Sequence, residues 1–241
     1  MPDLPPPLPP EQRTIGQLIA ESIRAYGGAF LAALPLGVPF AVVEQVNLHH
    51  PSIGVQMIVY WLAAPFFVAA FLYAIHLVLD ASPSRSAVLV ALLVYAPFPV
   101  LRAGFVLPGL AWFAFIGLAV PAAAVEKLGL RDALVRGRRL GTADYVHALG
   151  SLVALVVVVI VSELTLVALL RTQGDSGQRV AAFLADVVLS PLFFLGSALL
   201  YVDQAARVGS GRPHRRSRRD ADLHPPVDAE PAGHSDPQVE P

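Results

Sequence analysis

Long apolar stretches separated by short polar segments are the feature that most constrains this chain. A helix needs about 20 apolar residues to cross a hydrocarbon core about 30 Å thick, because each residue rises only about 1.5 Å. The composition agrees, since 55% of the residues are hydrophobic and only 15% are charged, whereas a soluble domain has about 25% charged residues. We therefore predict an all-α fold, a polytopic membrane helical bundle. The predicted spans are residues 25–43, 55–79, 87–101, 104–125, 146–170 and 180–202.

The third and fourth spans come from one apolar stretch, 87–125, which is too long for a single crossing. Arg102 is its one charge, and Pro97 and Pro108 interrupt it on either side. This pattern predicts two helices with a tight turn near Arg102. The segment 87–101 is short, so a re-entrant segment remains the alternative to a full span.

Two amphipathic helices are predicted outside the spans. Thr14 and Gln17 have the spacing of a capping box, and the helix 14–25 that it opens either lies in the membrane interface or packs on another part of the protein. The segment 127–140 has leucines on one face and arginines elsewhere, which is typical of a basic helix on an anionic leaflet. We expect lipid-headgroup contact from this helix and from the tail, at Arg131, Arg136, Arg138, Arg139, Arg215 and Arg216.

The ends of the chain differ in composition from the membrane domain, 14–207. Residues 1–13 are proline-rich and predict a disordered leader, because proline removes backbone donors and favours an extended conformation. Residues 208–241 are polar and charged, which predicts a disordered tail. We expect the basic part of this tail to lie near lipid head groups, because this interpretation needs no further assumption. Nucleic-acid binding by the same residues is the alternative.

The distribution of basic residues predicts the orientation, because arginine and lysine are retained on the cytoplasmic side. With the N-terminus inside, fourteen of the 17 basic residues are inside, and Arg102, Arg171 and Arg179 are outside. Sixteen of the 17 are arginine, as in proteins of GC-rich bacteria. We predict a multi-pass protein of the bacterial cytoplasmic membrane with both termini in the cytoplasm.

Three segments resemble a known family. Residues 121–140 carry a proline, Glu126, Gly129 and an Ala-Leu-x-Arg helix at Ala133 to Arg136, residues 13–26 resemble its opening helix, and residues 191–207 resemble its last span, with Tyr201, Asp203 and Arg207. This pattern is similar to the predicted multi-span bacterial proteins grouped with the membrane domain of glycerophosphoryl diester phosphodiesterases. The resemblance implies six helices and a membrane location. The sequence departs from the family at Gly137, where serine is more usual. It also lacks the phosphodiesterase catalytic domain.

Charged residues inside spans are functional candidates, because each costs about 2.5–3.5 kcal/mol near the bilayer centre on insertion scales. Glu163 lies eight residues before Arg171 and Asp186 seven after Arg179, so in antiparallel neighbouring helices they reach a similar depth. With Arg102 and Glu44 on the same side, we predict an intramembrane polar site of Glu163, Asp186, Arg102 and Glu44. The alternative is that Glu163 and Asp186 are structural groups bonded to polar neighbours.

The motif search favours a protein without catalytic activity. No zinc-protease, nucleophile-elbow or phosphate-loop motif occurs, there is no cysteine, and we expect no metal and no cofactor. Membrane lipids are the expected partners, nucleic acid is not expected, and protein partners are open. A structural, accessory or lipid-interacting role is the leading hypothesis. The alternative is a small transporter or permease using the intramembrane carboxylates, in which prolines unwind spans around a site.

Overall fold

A computed structural model of the chain describes residues 9–47, 52–102, 106–170 and 174–209, without the side chains of residues 102, 167, 170 and 174–176. Every regular element in these ranges is helical. The helices are α1 (Ile15–Gly28), α2 (Phe30–Ala33), α3 (Val38–Asn47), α4 (Ile53–Leu62), α5 (Ala64–Leu79), α6 (Arg85–Tyr95), α7 (Phe98–Arg102), α8 (Val106–Ile116), α9 (Ala119–Val125), α10 (Leu130–Ala143), α11 (Tyr145–Leu170), α12 (Gly174–Leu189) and α13 (Pro191–Gly209).

The first helix begins where the sequence predicts it. The Thr14 hydroxyl accepts a hydrogen bond from the Gln17 backbone, and the Gln17 side chain accepts one from the Thr14 backbone, so the predicted capping box is present. One face of α1 buries Leu18 and Ser22 and packs against α13 and α11. Residues Pro10–Gln12 form a 3-10 turn that also packs on α13. Ordered structure therefore begins before residue 14, and the predicted disordered leader is wrong for residues 10–13.

Several predicted spans are broken into two helices. Pro65 follows the junction of α4 and α5, which are bent by 52°, because proline lacks a backbone N–H and its ring clashes with the preceding turn. Pro97 lies between α6 and α7, and Pro191 begins α13 after the single residue Ser190 that follows α12. Among the described residues the chain bends sharply inside a predicted span at α4–α5, whereas α12 and α13 follow each other as one helical length, Gly177–Gly209.

In the described residues four helices are long and apolar enough to cross a membrane. Counting the bent pair α4–α5 as one span raises the number to five. The four are Phe30–Asn47, Val106–Val125, Tyr145–Leu166 and Gly177–Gly209. The segment Arg85–Leu101 is apolar but shorter than these lengths. Such helices are compatible with a protein embedded in a membrane.

The basic helix α10 packs tightly on the bundle. Its buried face consists of Ala133, Gly137, Leu140 and Gly141. A Cβ at Gly137 would lie 2.4 Å from the backbone nitrogen of Ala119, and one at Gly141 would lie 2.4 Å from the carbonyl oxygen of Phe115. Only glycine permits this approach to α8 and α9, as in membrane helix pairs with small residues four apart. Any side chain at Gly137, serine included, would prevent this packing.

Two adjoining clusters of buried apolar residues form the interior. One is built mainly from α5, α6 and α9, and the other from α8, α11 and α13. Helices α8, α9 and α13 contribute to both clusters or lie at their border. The cavity described below lies where these clusters meet.

Candidate functional site

An apolar cavity of about 310 Å³ lies inside the bundle. Residues of α3 to α9, α11 and α13 form its wall, so chain segments far apart in sequence meet there. Its volume is near the lower end of the range for small-molecule sites, about 300–1,000 Å³. The wall contains nine aromatic rings of the described residues: Phe40, Tyr60, Phe67, Phe71, Tyr95, Phe98, Phe113, Phe193 and Phe194.

Four of these rings form a continuous stack. Phe67 stacks on Tyr60 with 6.0 Å between ring centroids and on Tyr95 with 5.5 Å, and Tyr95 stacks on Phe98 with 5.6 Å. Aromatic pairs at such separations attract each other beyond the area they bury. The stack therefore holds one wall of the cavity in a defined position, across helices α4, α5, α6 and α7.

Helix breaks surround the cavity, and aromatic side chains satisfy the backbone groups that they release. The last carbonyls of a helix have no partner within it. At the end of α4 the carbonyl of Tyr60 accepts a hydrogen bond from the Tyr95 hydroxyl at 3.2 Å. At the end of α6 the carbonyl of Val94 accepts one from Trp112 Nε1 at 2.8 Å. Near the end of α12 the carbonyl of Val188 accepts one from the Tyr26 hydroxyl at 2.6 Å.

Two carboxylates belong to the cavity wall, Glu44 on α3 and Glu163 on α11. Glu44 accepts a hydrogen bond from the Tyr60 hydroxyl at 2.6 Å. Glu163 is half-buried and has neither a hydrogen-bond donor nor a cation as partner among the described residues. An acceptor in an apolar wall that lacks a protein donor is available to a ligand.

Asp186 on α12 lies beside this pair. Its side chain is buried, and the residue is only 2% exposed. Within the described parts of the chain, its Oδ1 has no hydrogen-bond partner. Both Glu163 and Glu44 lie close enough to act on it electrostatically. Three of the four residues of the predicted polar site are thus brought together, while Arg102 ends α7 with its side chain outside the described residues.

A second group of polar residues, which we call the ion-pair network, joins both ends of the described chain: Arg13, Glu126, Arg136, Asp144, Tyr201, Asp203 and Arg207. Its first half is built on α13. Arg13 Nη1 pairs with Asp203 Oδ1 at 2.9 Å, and Arg207 donates to the carbonyl of Arg13 at 2.8 Å. Arg207 also pairs with Asp144 Oδ2, before α11, at 2.7 Å. The N-terminal segment, α11 and α13 are therefore tied together.

The second half of the network joins α9, α10 and α13. Glu126 follows α9 and pairs with Arg136 Nε at 2.9 Å. The Tyr201 hydroxyl donates to the same carboxylate at 2.9 Å. Sequence reasoning named Glu126, Arg136, Tyr201 and Asp203 without pairing them, because nothing local in the sequence joins residues 75 or 190 positions apart.

The residues predicted to contact lipid head groups differ in their surroundings. Arg131, Arg138 and Arg139 are exposed on α10, and Arg138 lies 5.9 Å from the ring centroid of Phe115. Arg136 is instead engaged by Glu126. Arg215 and Arg216 lie outside the described residues. Among the described residues no group of three or more His, Asp and Glu side chains is arranged to hold a metal ion.

Comparison with protein-family models, with curated proteins and with solved structures finds no match for this chain. The chemistry of the cavity is therefore what indicates its ligand.

Proposed function

We propose that this chain is an integral protein of the bacterial cytoplasmic membrane that crosses it six times, with both termini in the cytoplasm. The long apolar helices support this, together with the bent pair α4–α5 and the segment Arg85–Leu101 as two further crossings. The fourteen-to-three distribution of basic residues supports the orientation. In this arrangement α1 and α10 lie at the cytoplasmic interface, with Arg131, Arg138 and Arg139 toward lipid head groups.

Single cysteines test this topology, because the chain has none of its own. Ser82→Cys, between α5 and α6, should react only with a thiol reagent that enters the cell, whereas Ala103→Cys, after α7, should react with an impermeant one. If residues 87–101 form a re-entrant segment, Ala103→Cys reacts only from the cytoplasm. That result would overturn the six-crossing proposal.

We propose further that the protein is a small transporter or permease that binds its substrate in the aromatic cavity and uses Glu163 and Asp186. The observation that carries this proposal is the half-buried Glu163 carboxylate, which lines an apolar cavity without a donor among the described residues. Broken helices around the cavity also favour transport, because transporters place substrate sites where helices are interrupted. A purely structural carboxylate would instead be held by a partner, as Asp203 is held by Arg13.

Uptake into proteoliposomes tests the transport proposal. The protein is reconstituted and offered a panel of radiolabelled small solutes, charged and neutral, that each carry an apolar body, with empty liposomes measured alongside. We expect uptake of at least one solute above the empty liposomes, and loss of that uptake in Glu163→Gln combined with Asp186→Asn. Glu21→Gln, at a carboxylate of α1 outside the cavity, should leave uptake unchanged. Equal uptake by the double variant, accompanied by lowered thermal stability, would contradict the proposal.

A structural, accessory or lipid-interacting role is the second candidate, and the ion-pair network favours it. Five polar residues of the family resemblance belong to this network: Glu126, Arg136, Tyr201, Asp203 and Arg207. We propose on this basis a relationship to the multi-span proteins grouped with the membrane domain of glycerophosphoryl diester phosphodiesterases. A panel of phospholipids in a thermal-shift assay tests the role, because a lipid bound by the folded protein alone raises its unfolding temperature.

A further inference from the structure

We propose that the cavity selects an organic cation, a protonated or quaternary amine attached to a small apolar body. This inference deepens the proposed function and rests on it, because it names the class of substrate that the same cavity accepts. It is carried by two independent features of the wall, the aromatic rings and the carboxylate of Glu163.

The aromatic wall favours a cation over other polar head groups. The face of an aromatic ring is negative, so it attracts a cation placed within about 6 Å of the ring centroid. Phe67 and Tyr95 lie inside the stack with a ring on each side. The faces that remain for a cation are those of Tyr60 and Phe98 at the two ends of the stack and those of the wall rings outside it. An anion would be repelled by the same faces, and a neutral ligand would gain only the apolar contact.

The carboxylate of Glu163 gives the site a negative charge. It has no cation or donor as partner among the described residues, and Asp186 beside it has an unpartnered, buried Oδ1. A basic side chain supplied by the protein would neutralise this pair, as Arg13 and Arg207 do for Asp203 and Asp144. At the cavity a ligand cation can take that place beside Glu163, which lines the wall, with its apolar body against the remaining walls.

The size of the cavity limits the apolar body. Its volume of about 310 Å³ lies near the lower end of the range for small-molecule sites, about 300–1,000 Å³. A ligand with one ring or one short alkyl chain fits this volume, whereas the acyl chains of a whole phospholipid do not. The site therefore differs from a surface for lipid head groups.

Matched ligands test the class of substrate. Phenylbutylamine, phenylbutanol and phenylbutyrate share one apolar body and differ in the charge of the head, and hexylamine, hexanol and hexanoate repeat the comparison with a smaller body. Binding to the protein in lipid nanodiscs is measured by equilibrium dialysis, and empty nanodiscs correct for partition into lipid. We expect at least one amine to bind about tenfold more tightly than the alcohol of the same body, and the acid to bind most weakly.

Two variants separate the contributions of charge and ring. Glu163→Gln should weaken binding of the amine at least about tenfold while it changes binding of the alcohol less than about threefold. Phe98→Leu keeps an apolar side chain but removes the ring, and should weaken the amine about threefold to tenfold without affecting the alcohol. Glu21→Gln, which is outside the wall, is the matched control and should bind all six ligands as the unaltered protein does.

Each result has a distinct meaning. Equal binding of amine and alcohol, or preference for the acid, overturns the cation proposal and leaves the cavity as a site for apolar ligands. Binding of none of the six above empty nanodiscs overturns both the cation proposal and the transport proposal. Amine binding that Glu163→Gln does not weaken overturns the assignment of the carboxylate, even if an amine is preferred.

Discussion

The ion-pair network and the carboxylate cavity are both polar regions of an apolar bundle, but they treat their acidic groups in opposite ways. In the network Arg13 pairs with Asp203 and Arg207 with Asp144, at distances below 3 Å. At the cavity neither Glu163 nor the buried Asp186 has a cation as partner among the described residues. The paired cation is what distinguishes the two regions, because Asp186 Oδ1 and Asp203 Oδ2 both lack a hydrogen-bond partner there. Asp144 and Glu163 are about 28 Å apart along α11, at about 1.5 Å per residue.

This difference separates a group that holds the fold from a group kept for a ligand. A buried carboxylate is costly unless a cation and hydrogen bonds compensate it. The network provides this compensation and joins segments from the start, middle and end of the described chain. The cavity region does not provide it for Glu163 or for the neighbouring Asp186, so these two carboxyl groups cost stability that binding can recover. The two regions should consequently respond to substitution with opposite signs.

The largest loss of stability is expected at Asp203. Its side chain is completely buried and pairs with Arg13, so Asp203→Ala leaves the guanidinium without its carboxylate. Removing one partner of a buried pair costs about 3–5 kcal/mol. Unfolding in mixed micelles with increasing SDS measures this loss. Asp132→Ala, at an exposed aspartate of α10, is the control and should change stability by less than about 0.5 kcal/mol. Equal losses of stability for Asp203→Ala and Asp132→Ala would contradict the view that the ion-pair network stabilises the fold.

The next effect tests the packing that brings α10, and with it Arg136, to the network. Gly137→Ala would place a Cβ 2.4 Å from the Ala119 nitrogen, and such overpacking costs about 1–3 kcal/mol. Gly16→Ala is the control, since a Cβ there meets nothing within 4 Å and alanine favours the helix by up to about 1 kcal/mol. The same unfolding assay should give opposite signs for the two variants. A stabilising Gly137→Ala would contradict the close approach of α10 to α9.

A smaller loss is expected where the network uses a single hydrogen bond. Tyr201→Phe removes the hydroxyl that donates to Glu126 and keeps the ring, so we expect a loss of about 1–2 kcal/mol. Tyr73→Phe is the matched control, because Tyr73 is exposed on α5. An unchanged stability for Tyr201→Phe would mean that Arg136 alone holds Glu126.

The sequence predicts helix boundaries and the levels of the cavity carboxyl groups better than it predicts the pairs of the ion-pair network. Helix periodicity and apolar length predict α1, α10 and α11 with boundaries close to those observed. Glu163 lies eight residues before Arg171 and Asp186 seven after Arg179, so the geometry of two antiparallel helices predicts a similar level for both. The pairing of Arg13 with Asp203 depends on how the first and last helices pack, 190 residues apart, and no local pattern encodes it.

The aromatic wall is beyond sequence reasoning for another reason. Pro65 marks a break between α4 and α5, but its identity does not give the bend of 52°. Tyr60 and Phe67 lie on either side of this bend and stack with 6.0 Å between their ring centroids. The spacing of these residues in the sequence predicts only that their rings lie on a helix face that contacts the membrane or the core. The two glycines of α10 are similar, because the sequence names Gly137 as unusual and only the approach of Ala119 explains it.

The smallest effect on stability, and the one that most sharpens the comparison, is expected at Asp186. Its Oδ1 accepts no hydrogen bond among the described residues, so Asp186→Asn removes no donor contact there. If the carboxyl is ionised, the substitution removes an uncompensated charge; if it is protonated, asparagine replaces a neutral group of similar shape. Either way the loss should be below about 0.5 kcal/mol, or stability should rise. Asp203→Asn, the same change beside Arg13, should destabilise the protein in the same SDS titration. A loss above about 1 kcal/mol at Asp186 would show that its carboxylate is held by the fold, as Asp203 is, and would remove the reason for assigning it to a ligand.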